Sequence, residues 1–255
     1  MALTIHKIKR YGWVPDTPDY RDLTYAAPAA TLPPKADLRP QCPPVYNQGN
    51  LGSCTGNSIA GAIQFERMKQ DLTPNFVPSR LFIYYNERVI EGTVSSDNGA
   101  AIRDGIKTVA TLGACPEPQW PYVISKFAVK PPAKAYKSAL TDRAVQYQRV
   151  SRSLDQMKGC LASGYPFVFG FSVYDSFESA AVAKTGVVPM PKPSEKLRGG
   201  HAVLAVGYDD SSGRFTVRNS WGASWGMAGY FTMPYEYLTN GGLSDDFWTI
   251  RLIAG

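Results

Sequence analysis

The chain has 255 residues, enough for one two-lobed domain or two small ones, and its 44% hydrophobic content can support a sizeable core. The formal net charge of +6 comes from scattered Lys and Arg residues rather than a dense block, which argues against nucleic acid as the partner. No stretch approaches the ~18 apolar residues of a membrane span, and no apolar secretory signal opens the chain. We therefore expect no membrane span, and either a cytoplasmic location or export by another route.

Residues 1–31 lack the periodicity of a helix or a strand. Pro and Asp interrupt residues 11–22 repeatedly, yet the same segment carries the aromatic residues Tyr11, Trp13 and Tyr20. Aromatic side chains in a proline-rich arm indicate docking on a folded surface rather than free disorder. We predict an N-terminal extension over residues 1–31 and a folded domain over residues 32–255.

The remaining chain changes from helical to strand periodicity along its length. Helices are predicted at 54–70, from Ser79 onward and at 100–111, and Ser79 is a favourable N-cap. The predicted strands are 167–173, 202–208, 214–219, 229–233 and 246–252. A helical lobe followed by an antiparallel β lobe is an α+β architecture, with a cleft between the lobes where an extended ligand can bind.

Cys54 stands where a glycine-rich loop, residues 48–53, runs into the first predicted helix. The positive end of the helix dipole and the unpaired backbone N–H groups at a helix N-terminus favour the thiolate, which is the nucleophilic form. The alternative interpretation is that Cys54 is a small buried apolar residue, the commonest fate of a free cysteine.

A nucleophilic cysteine needs a base and a group that orients the base. Of the two histidines, His6 lies in the polar N-terminal arm, whereas His201 follows a glycine pair and opens an apolar strand. Asn219 ends a later strand, two residues before Trp221. Each has an ordinary interpretation, His201 as a structural strand residue and Asn219 as a turn former. Their joint occurrence in this order after Cys54 favours a catalytic set.

Three segments together resemble the papain and cathepsin-type cysteine proteases: residues 48–54, 200–208 and 219–230. His201 follows Cys54 within the ~130–150 residues typical of that family, and Asn219 comes slightly beyond this range. The resemblance spans roughly residues 32 to 252. It implies a papain-like two-lobed fold, with a helical N-terminal lobe, an antiparallel β-barrel-like C-terminal lobe and an active-site cleft between them.

The resemblance also implies roles for individual residues. Cys54 is the nucleophile, His201 the general acid and base, and Asn219 the residue that fixes the imidazole. Gln48 and the Cys54 backbone N–H are the expected oxyanion donors. The residues expected against the substrate are Gly52, Ser53, Asn98, Gly99, Gly170, Gly200, Ala202 and Trp221, of which Trp221 also shields the His–Asn hydrogen bond. A carboxylate from Asp245 or Asp246 is expected near the pocket for the residue two before the cut, where it would favour a basic side chain.

Two departures from the family pattern lie beside the nucleophile. Leu51 occupies the position of a cysteine that is usually disulfide-bonded, and Thr55 replaces the aromatic residue that usually follows the nucleophile. We expect apolar packing of Leu51 to take the place of the disulfide. A bond between Cys42 and Cys115 is possible, and Cys160 is predicted to be a buried helix residue. The scattered cysteines and two histidines offer no plausible zinc site, and we expect no cofactor.

The sequence leaves three functions open. The first is a monomeric cysteine endopeptidase that acts on peptide or protein substrates, with residues 1–31 restraining activity as in a zymogen; the same arm could instead be an external strap. The second is a papain-fold acyltransferase or amidase with the same triad. The third is a catalytically silent binding module, against which the intact set of Gln48, Cys54, His201 and Asn219 argues.

Overall fold

The computed structural model describes residues 11–28 and 31–254, where the predicted helices and strands are present together with further short elements that were not predicted. The helices are α1 Cys54–Lys69, α2 Arg80–Glu91, α3 Ile102–Thr111, α4 Ala133–Ala139, α5 Leu154–Ala162, α6 Ala180–Thr185 and α7 Tyr235–Thr239. The strands are β1 Trp13–Val14, β2 Thr24–Tyr25, β3 Lys35–Asp37, β4 Ala100–Ala101, β5 Ala144–Val150, β6 Phe167–Tyr174, β7 Leu197–Asp209, β8 Arg214–Arg218, β9 Tyr230–Pro234 and β10 Ser244–Ile253.

The main sheet of the described chain has eight strands. Its order is β2-β5-β10-β6-β7-β8-β9, with β3 paired to β7. All neighbours from β5 to β9 are antiparallel, as predicted for the second lobe. Strand β5 was missed, because five of its seven residues are at least partly exposed and the segment carries no apolar run. The register of β6 and β7 sets Gly170 opposite Ala202 and Phe171 opposite His201.

Helix α1 lies between this sheet and the other helices of the first lobe. It is buried on almost all sides rather than along one stripe, and only its C-terminal residues reach solvent. Gly56 allows α2 to approach, since a Cβ at this position would lie 2.8 Å from the Arg80 carbonyl oxygen. The main apolar core contains α1 and the sheet, and a second cluster around Leu51, Phe82 and Trp120 fills the helical lobe.

Helix boundaries follow local signals with one exception. The Ser79 hydroxyl accepts a hydrogen bond from the Phe82 backbone N–H at 3.1 Å, as an N-cap residue does. Helix α3 starts at Ile102 rather than at residue 100, because Ala100 and Ala101 are extended and pair with β1. The helical prediction for Cys160 is confirmed, since this residue is buried in α5.

The described part of the N-terminal extension contains two short strands, although the sequence predicted no regular element there. Strand β1 pairs with β4, and β2 pairs with β5 at the edge of the main sheet. Tyr25 is buried in the core, and the backbone N–H of Ala27 donates to Gln156 Oε1 at 2.7 Å. These strands exist through pairing with the body, so they leave no periodicity of their own. His6 lies outside the described residues, and the boundary at 31/32 stays a prediction.

The cysteines carry no cross-link in the described chain: Cys42, Cys54, Cys115 and Cys160 are all free thiols. The possible Cys42–Cys115 bond is thus absent, and the reason is their location. Cys42 packs against the main core, whereas Cys115 belongs to the cluster in the helical lobe. Among the described helices, none combines the length and the apolar character that a bilayer span requires.

Candidate active site

Cys54 is the first residue of α1, and Gln48 fixes the loop that leads into it. The Gln48 backbone N–H donates to the Ser220 carbonyl at 2.8 Å, and its side-chain Oε1 accepts from the Ser220 hydroxyl at 2.6 Å. Its Nε2 donates to the Leu51 carbonyl at 2.9 Å. An amide nitrogen carries two hydrogens, so one N–H of Gln48 remains to serve an oxyanion. Gln48 therefore joins the first lobe to the Ser220 segment of the second.

A polar contact and an apolar one hold the loop where related proteins use a disulfide. Leu51 is buried in the second apolar cluster, as expected. The Asp97 carboxylate accepts the Gly52 backbone N–H at 3.0 and 3.2 Å, and it accepts the Tyr84 hydroxyl at 2.6 Å. The Tyr84 oxygen in turn accepts the Gly99 N–H at 3.3 Å. The role of Asp97 was missed, because nothing in the sequence pairs it with Gly52.

The imidazole of His201 forms a well-defined pair with Asn219. Nε2 of His201 lies 2.9 Å from Oδ1 of Asn219, which also accepts the Ser220 N–H at 2.8 Å. A carboxamide oxygen only accepts hydrogen bonds, so Nε2 carries the proton and Nδ1 keeps its lone pair. Nδ1 has no hydrogen-bond partner among the described residues. The centroid of the Trp221 ring lies 5.0 Å from that of the imidazole, at an interplanar angle of 30°.

The thiol of Cys54 lies against the backbone of Ala202, the residue that follows His201, and is fully buried. Burial raises the pKa of the Cys54 thiol to about 12, although backbone hydrogen bonds from Ala202 and Gly12 act to lower it. Burial likewise lowers the pKa of His201 to about 4, against the opposing effect of the Asn219 hydrogen bond. Both shifts favour an uncharged thiol and imidazole, whereas the position of Cys54 at a helix N-terminus by itself favours the thiolate. The physical cause of the shifts is the burial of both groups, and Gly12 of the N-terminal arm is among the residues that contact the Cys54 thiol.

Residues 11–13 of the arm lie in the cleft. The Gly12 carbonyl accepts the Ala100 N–H at 2.8 Å, and Gly12 is so close to the loop that a Cβ there would lie 1.7 Å from the Gly52 oxygen. A Cβ on Gly99 would lie 2.3 Å from the Gly12 oxygen. Gly12 thus occupies the space between Gly52 and Gly99, two residues that we expected to contact substrate.

The side chains on either side of Gly12 fill the rest of the cleft. The Trp13 indole lies against Gly170, where a Cβ would come 2.0 Å from the ring. The backbone of Trp13 lies against Gly200. Tyr11 meets the His201 ring edge-on at 6.2 Å, and its hydroxyl hydrogen-bonds the Glu178 carboxylate. The arm therefore covers both the imidazole and the expected substrate pocket.

A carboxylate stands at the base of the Trp13 pocket, and it belongs to Asp246. Its Oδ2 accepts the Trp13 indole N–H at 3.0 Å and the Asp16 backbone N–H at 2.8 Å. Asp246 has φ of 59°, at a register irregularity between β10 and β6, and this bulge turns its side chain inward. The Oδ1 atom of Asp246 accepts from the Arg149 guanidinium at 3.0 Å, and Asp245 pairs with both Arg149 and Arg152 near the surface. Burial, followed by the Asp16 charge, raises the pKa of Asp246 to about 6.

Two of the expected substrate residues have other surroundings. The Ser53 hydroxyl lies 2.5 Å from the Tyr122 hydroxyl and 3.1 Å from Asn57 Nδ2, so it serves the helical lobe. Asn98 lines a cavity of about 710 Å³ between the arm, residues 14–21, and helix α3. The structure thus brings Gly52, Gly99, Gly170, Gly200 and Ala202 to the cleft, but the Ser53 side chain points elsewhere. The Tyr11 and Trp13 contacts could have been suspected only from aromatic residues in a proline-rich arm.

Sequence and structure comparisons define the class of this protein. The model of the papain family cysteine proteases matches residues 32–247. The chain therefore belongs to the papain family of cysteine proteases, and the predicted α+β fold and peptidase class are confirmed.

The most informative relatives cover nearly the whole chain. Xylellain, a cysteine protease from Xylella fastidiosa, superposes with a TM-score of 0.92 at 48% identity, over 96% of this chain and 97% of that one. A peptidase C1-like protein of Acanthamoeba polyphaga mimivirus is 43% identical over 96% of this chain and 88% of its own length. Procathepsin L 3 of the Tenebrio molitor larval midgut shares the fold at a TM-score of 0.69 and 18% identity, over 94% of this chain and 76% of that one.

Proposed function

We propose that this peptidase is a monomeric endopeptidase that uses Cys54 as its nucleophile and His201 as its acid and base. The observation that carries the proposal is the 2.9 Å hydrogen bond between His201 Nε2 and Asn219 Oδ1. It leaves Nδ1 as the basic atom, and the backbone of Ala202, the residue next to His201, hydrogen-bonds the Cys54 thiol. The nucleophile therefore lies against the residue next to the base, and a single chain supplies both.

The chemistry follows from these positions. The Cys54 thiol transfers its proton to His201, and the sulfur attacks the scissile carbonyl carbon to form a tetrahedral oxyanion. His201 then gives the proton to the leaving amine, and the acyl-enzyme is hydrolysed by a water that His201 activates. The free N–H of Gln48 and the backbone N–H of Cys54 stabilise the oxyanion. Asn219 holds the imidazole orientation throughout, and Trp221 keeps water from their hydrogen bond.

The N-terminal arm restrains this activity. Tyr11, Gly12 and Trp13 fill the space that a substrate needs, and they bury the catalytic groups so that their uncharged forms are favoured. The same segment is held by Asp16, whose carboxylate accepts the Trp248 indole N–H at 3.0 Å and the Arg103 backbone N–H. An external strap would contact neither the imidazole nor the nucleophile loop. Arm displacement is therefore the step that lets substrate and water enter.

The pocket now filled by Trp13 selects the substrate residue two before the cut. Its walls are the backbones of Gly170 and Gly200, and the Asp246 carboxylate at its base accepts an indole N–H. A substrate side chain that carries an N–H and matches the depth of Trp13 satisfies this carboxylate. A basic side chain offers such an N–H. Arg149 already pairs with the other oxygen of Asp246 at 3.0 Å and offsets part of its charge, so the expected preference for a basic residue rests on the hydrogen bond more than on charge attraction.

Labelling by an epoxide inhibitor of papain-type enzymes tests the catalytic assignment. The wild-type chain or its Trp13→Ala variant should be labelled at Cys54 and should hydrolyse a fluorogenic peptide, and Cys54→Ala should do neither. Unchanged labelling in Cys54→Ala would refute the assignment. Product analysis with an added amine distinguishes hydrolysis from acyl transfer, because a transferase would yield the amide instead of the acid.

The arm is best tested without disturbing β2. A chain that begins at Asp19 removes Tyr11 and Trp13 but keeps Asp22, which pairs with Arg103, and the strand that pairs with β5. This truncation and Trp13→Ala should both hydrolyse the peptide faster than the full chain. Tyr20→Ala is the matched control, because Tyr20 is an arm aromatic that is fully exposed. Equal rates in all four proteins would leave the arm as a strap only.

A further inference from the structure

A buried carboxyl group that the mechanism does not use lies directly behind the nucleophile. Glu87 is in α2, has no exposed surface, and its Oε2 accepts the Thr55 hydroxyl at 2.6 Å. Thr55 is the residue after Cys54, in the first turn of α1. Oε1 of Glu87 has no hydrogen-bond partner among the described residues. Helix α3 closes over this oxygen at Gly105, where a Cβ would lie 2.4 Å from it.

The charged groups around Glu87 leave its carboxyl without a counter-ion. Glu91 on α2 and Asp104 on α3 are both acidic, and Cys54 faces it from α1. Arg88 is the cation beside it, but the Arg88 guanidinium donates to the backbone carbonyls of residues 84, 94, 96 and 127. Burial raises the pKa of Glu87 to about 8, with the Thr55 hydrogen bond opposing the rise. The group is therefore protonated at neutral pH and ionises in the alkaline range.

We propose that Glu87 is a positioning residue that sets the alkaline limit of peptidase activity. Its carboxyl group accepts the Thr55 hydroxyl and so anchors the first turn of α1. When it ionises, it places a negative charge behind Cys54 that disfavours the thiolate. This inference rests on the proposed role of Cys54 as the nucleophile.

The sign of the effect follows from where the charge acts. A negative charge near a thiol raises the thiol pKa, and the charge of Glu87 is among the influences that raise the pKa of Cys54. The charge of Glu87 is not among the influences on the pKa of His201, which responds to burial and to the Asn219 hydrogen bond. Ionised Glu87 therefore shifts the proton from His201 back to Cys54, and the reactive pair becomes less populated as the pH rises through 8.

The test compares pH profiles of kcat/KM between pH 6 and 10 in the full-length chain carrying Trp13→Ala, so that the arm does not limit the rate. Adding Glu87→Gln to this parent keeps the shape of the side chain and its contact with Thr55, but it removes the ionisable group. Its activity at pH 9 relative to pH 7 should exceed that of the parent by roughly tenfold, the effect of one pKa unit on the thiol.

Two further variants keep the test decisive if Glu87→Gln folds poorly. Thr55→Val removes the donor that favours the ionised carboxylate, so the alkaline decline should begin at higher pH. Glu91→Gln removes a neighbouring negative charge, so Glu87 should ionise earlier and the decline should begin at lower pH. A purely structural role would change the melting temperature of these variants without moving their pH profiles.

Superimposable profiles in an active parent and in the folded variants would overturn the role of Glu87 and leave the catalytic assignment intact. A parent that neither hydrolyses peptide nor reacts at Cys54 at any pH would instead refute the proposed function itself.

Discussion

The carboxylate of Asp97 accepts the backbone N–H of Gly52 through both oxygens, at 3.0 and 3.2 Å. This contact ties the loop before Cys54 to the segment that carries Gly99, and the Tyr84 hydroxyl braces it from α2. A charge-assisted hydrogen bond therefore connects two walls of the cleft where a disulfide is usual in the family. Because the contact is not covalent, reducing conditions leave it intact.

Asp97→Ala should loosen the nucleophile loop. Removing an acceptor from a buried N–H costs about 1–3 kcal/mol, and a misplaced catalytic loop lowers kcat by up to about a hundredfold. Asp97→Asn keeps one acceptor oxygen and should lose less. Thermal unfolding and peptide hydrolysis in the Trp13→Ala background measure both effects. If Asp97→Ala matches its parent in both melting temperature and kcat, Asp97 does not hold the nucleophile loop.

Gln48→Ala should lower kcat by ~10²–10³ with little change in KM, since removing one oxyanion donor acts on the transition state. The Ser220 hydroxyl also bonds Gln48, so the melting temperature must be measured alongside. Ser220→Ala is the matched control, because it removes this bond and keeps the donor. A loss in Ser220→Ala as large as in Gln48→Ala would mean that the loop contact, rather than the oxyanion donor, is decisive.

Gly12→Ala should activate the enzyme by expelling the arm. The added methyl would lie 1.7 Å from the Gly52 oxygen and 2.4 Å from its carbonyl carbon, both of which are backbone atoms of a braced loop. Thr17→Ala, in the same arm but beside the cavity of about 710 Å³, serves as the control. Initial rates of peptide hydrolysis at matched concentrations decide the matter, and a rate equal to that of the wild-type chain would contradict the docked position of the arm.

Acid should tighten the arm rather than release it. With the arm docked, burial and the Asp16 charge raise the pKa of Asp246 to about 6, from an ordinary value of 3.8. Departure of the arm admits water and removes Asp16, so the pKa falls toward that ordinary value. The closed form thus binds more protons between these two values, and lowering the pH through 6 favours closure.

The rate of Cys54 labelling, divided by that of the Asp19 truncation to remove intrinsic pH effects, should therefore fall by roughly tenfold between pH 7 and pH 5. Asp246→Asn cannot take up this proton and should lose the dependence. A normalised rate that rises as the pH falls to 5 would mean that acid releases the arm, which would contradict this prediction.

Much of the fold was readable because its signals are local. The helix at Cys54 and the Ser79 cap follow from neighbouring residues, and the apolar runs at β6 and β7 give strands wherever they pair. Strand β5 and the start of α3 were misjudged, because their conformation depends on partners distant in sequence.

The sequence by itself determined the family and the candidate reactive groups, since Cys54, His201 and Asn219 stand in segments whose order and spacing are typical of that family. Only the tertiary structure decided their state. Gly12, far from Cys54 along the chain, contacts the thiol, and burial raises the pKa of Cys54 and lowers that of His201, which favours the uncharged form of each. The Asp97–Gly52 hydrogen bond and the pocket at Asp246 also depend on the tertiary structure. Each is a contact between segments that are far apart along the chain, so no local sequence pattern predicts it.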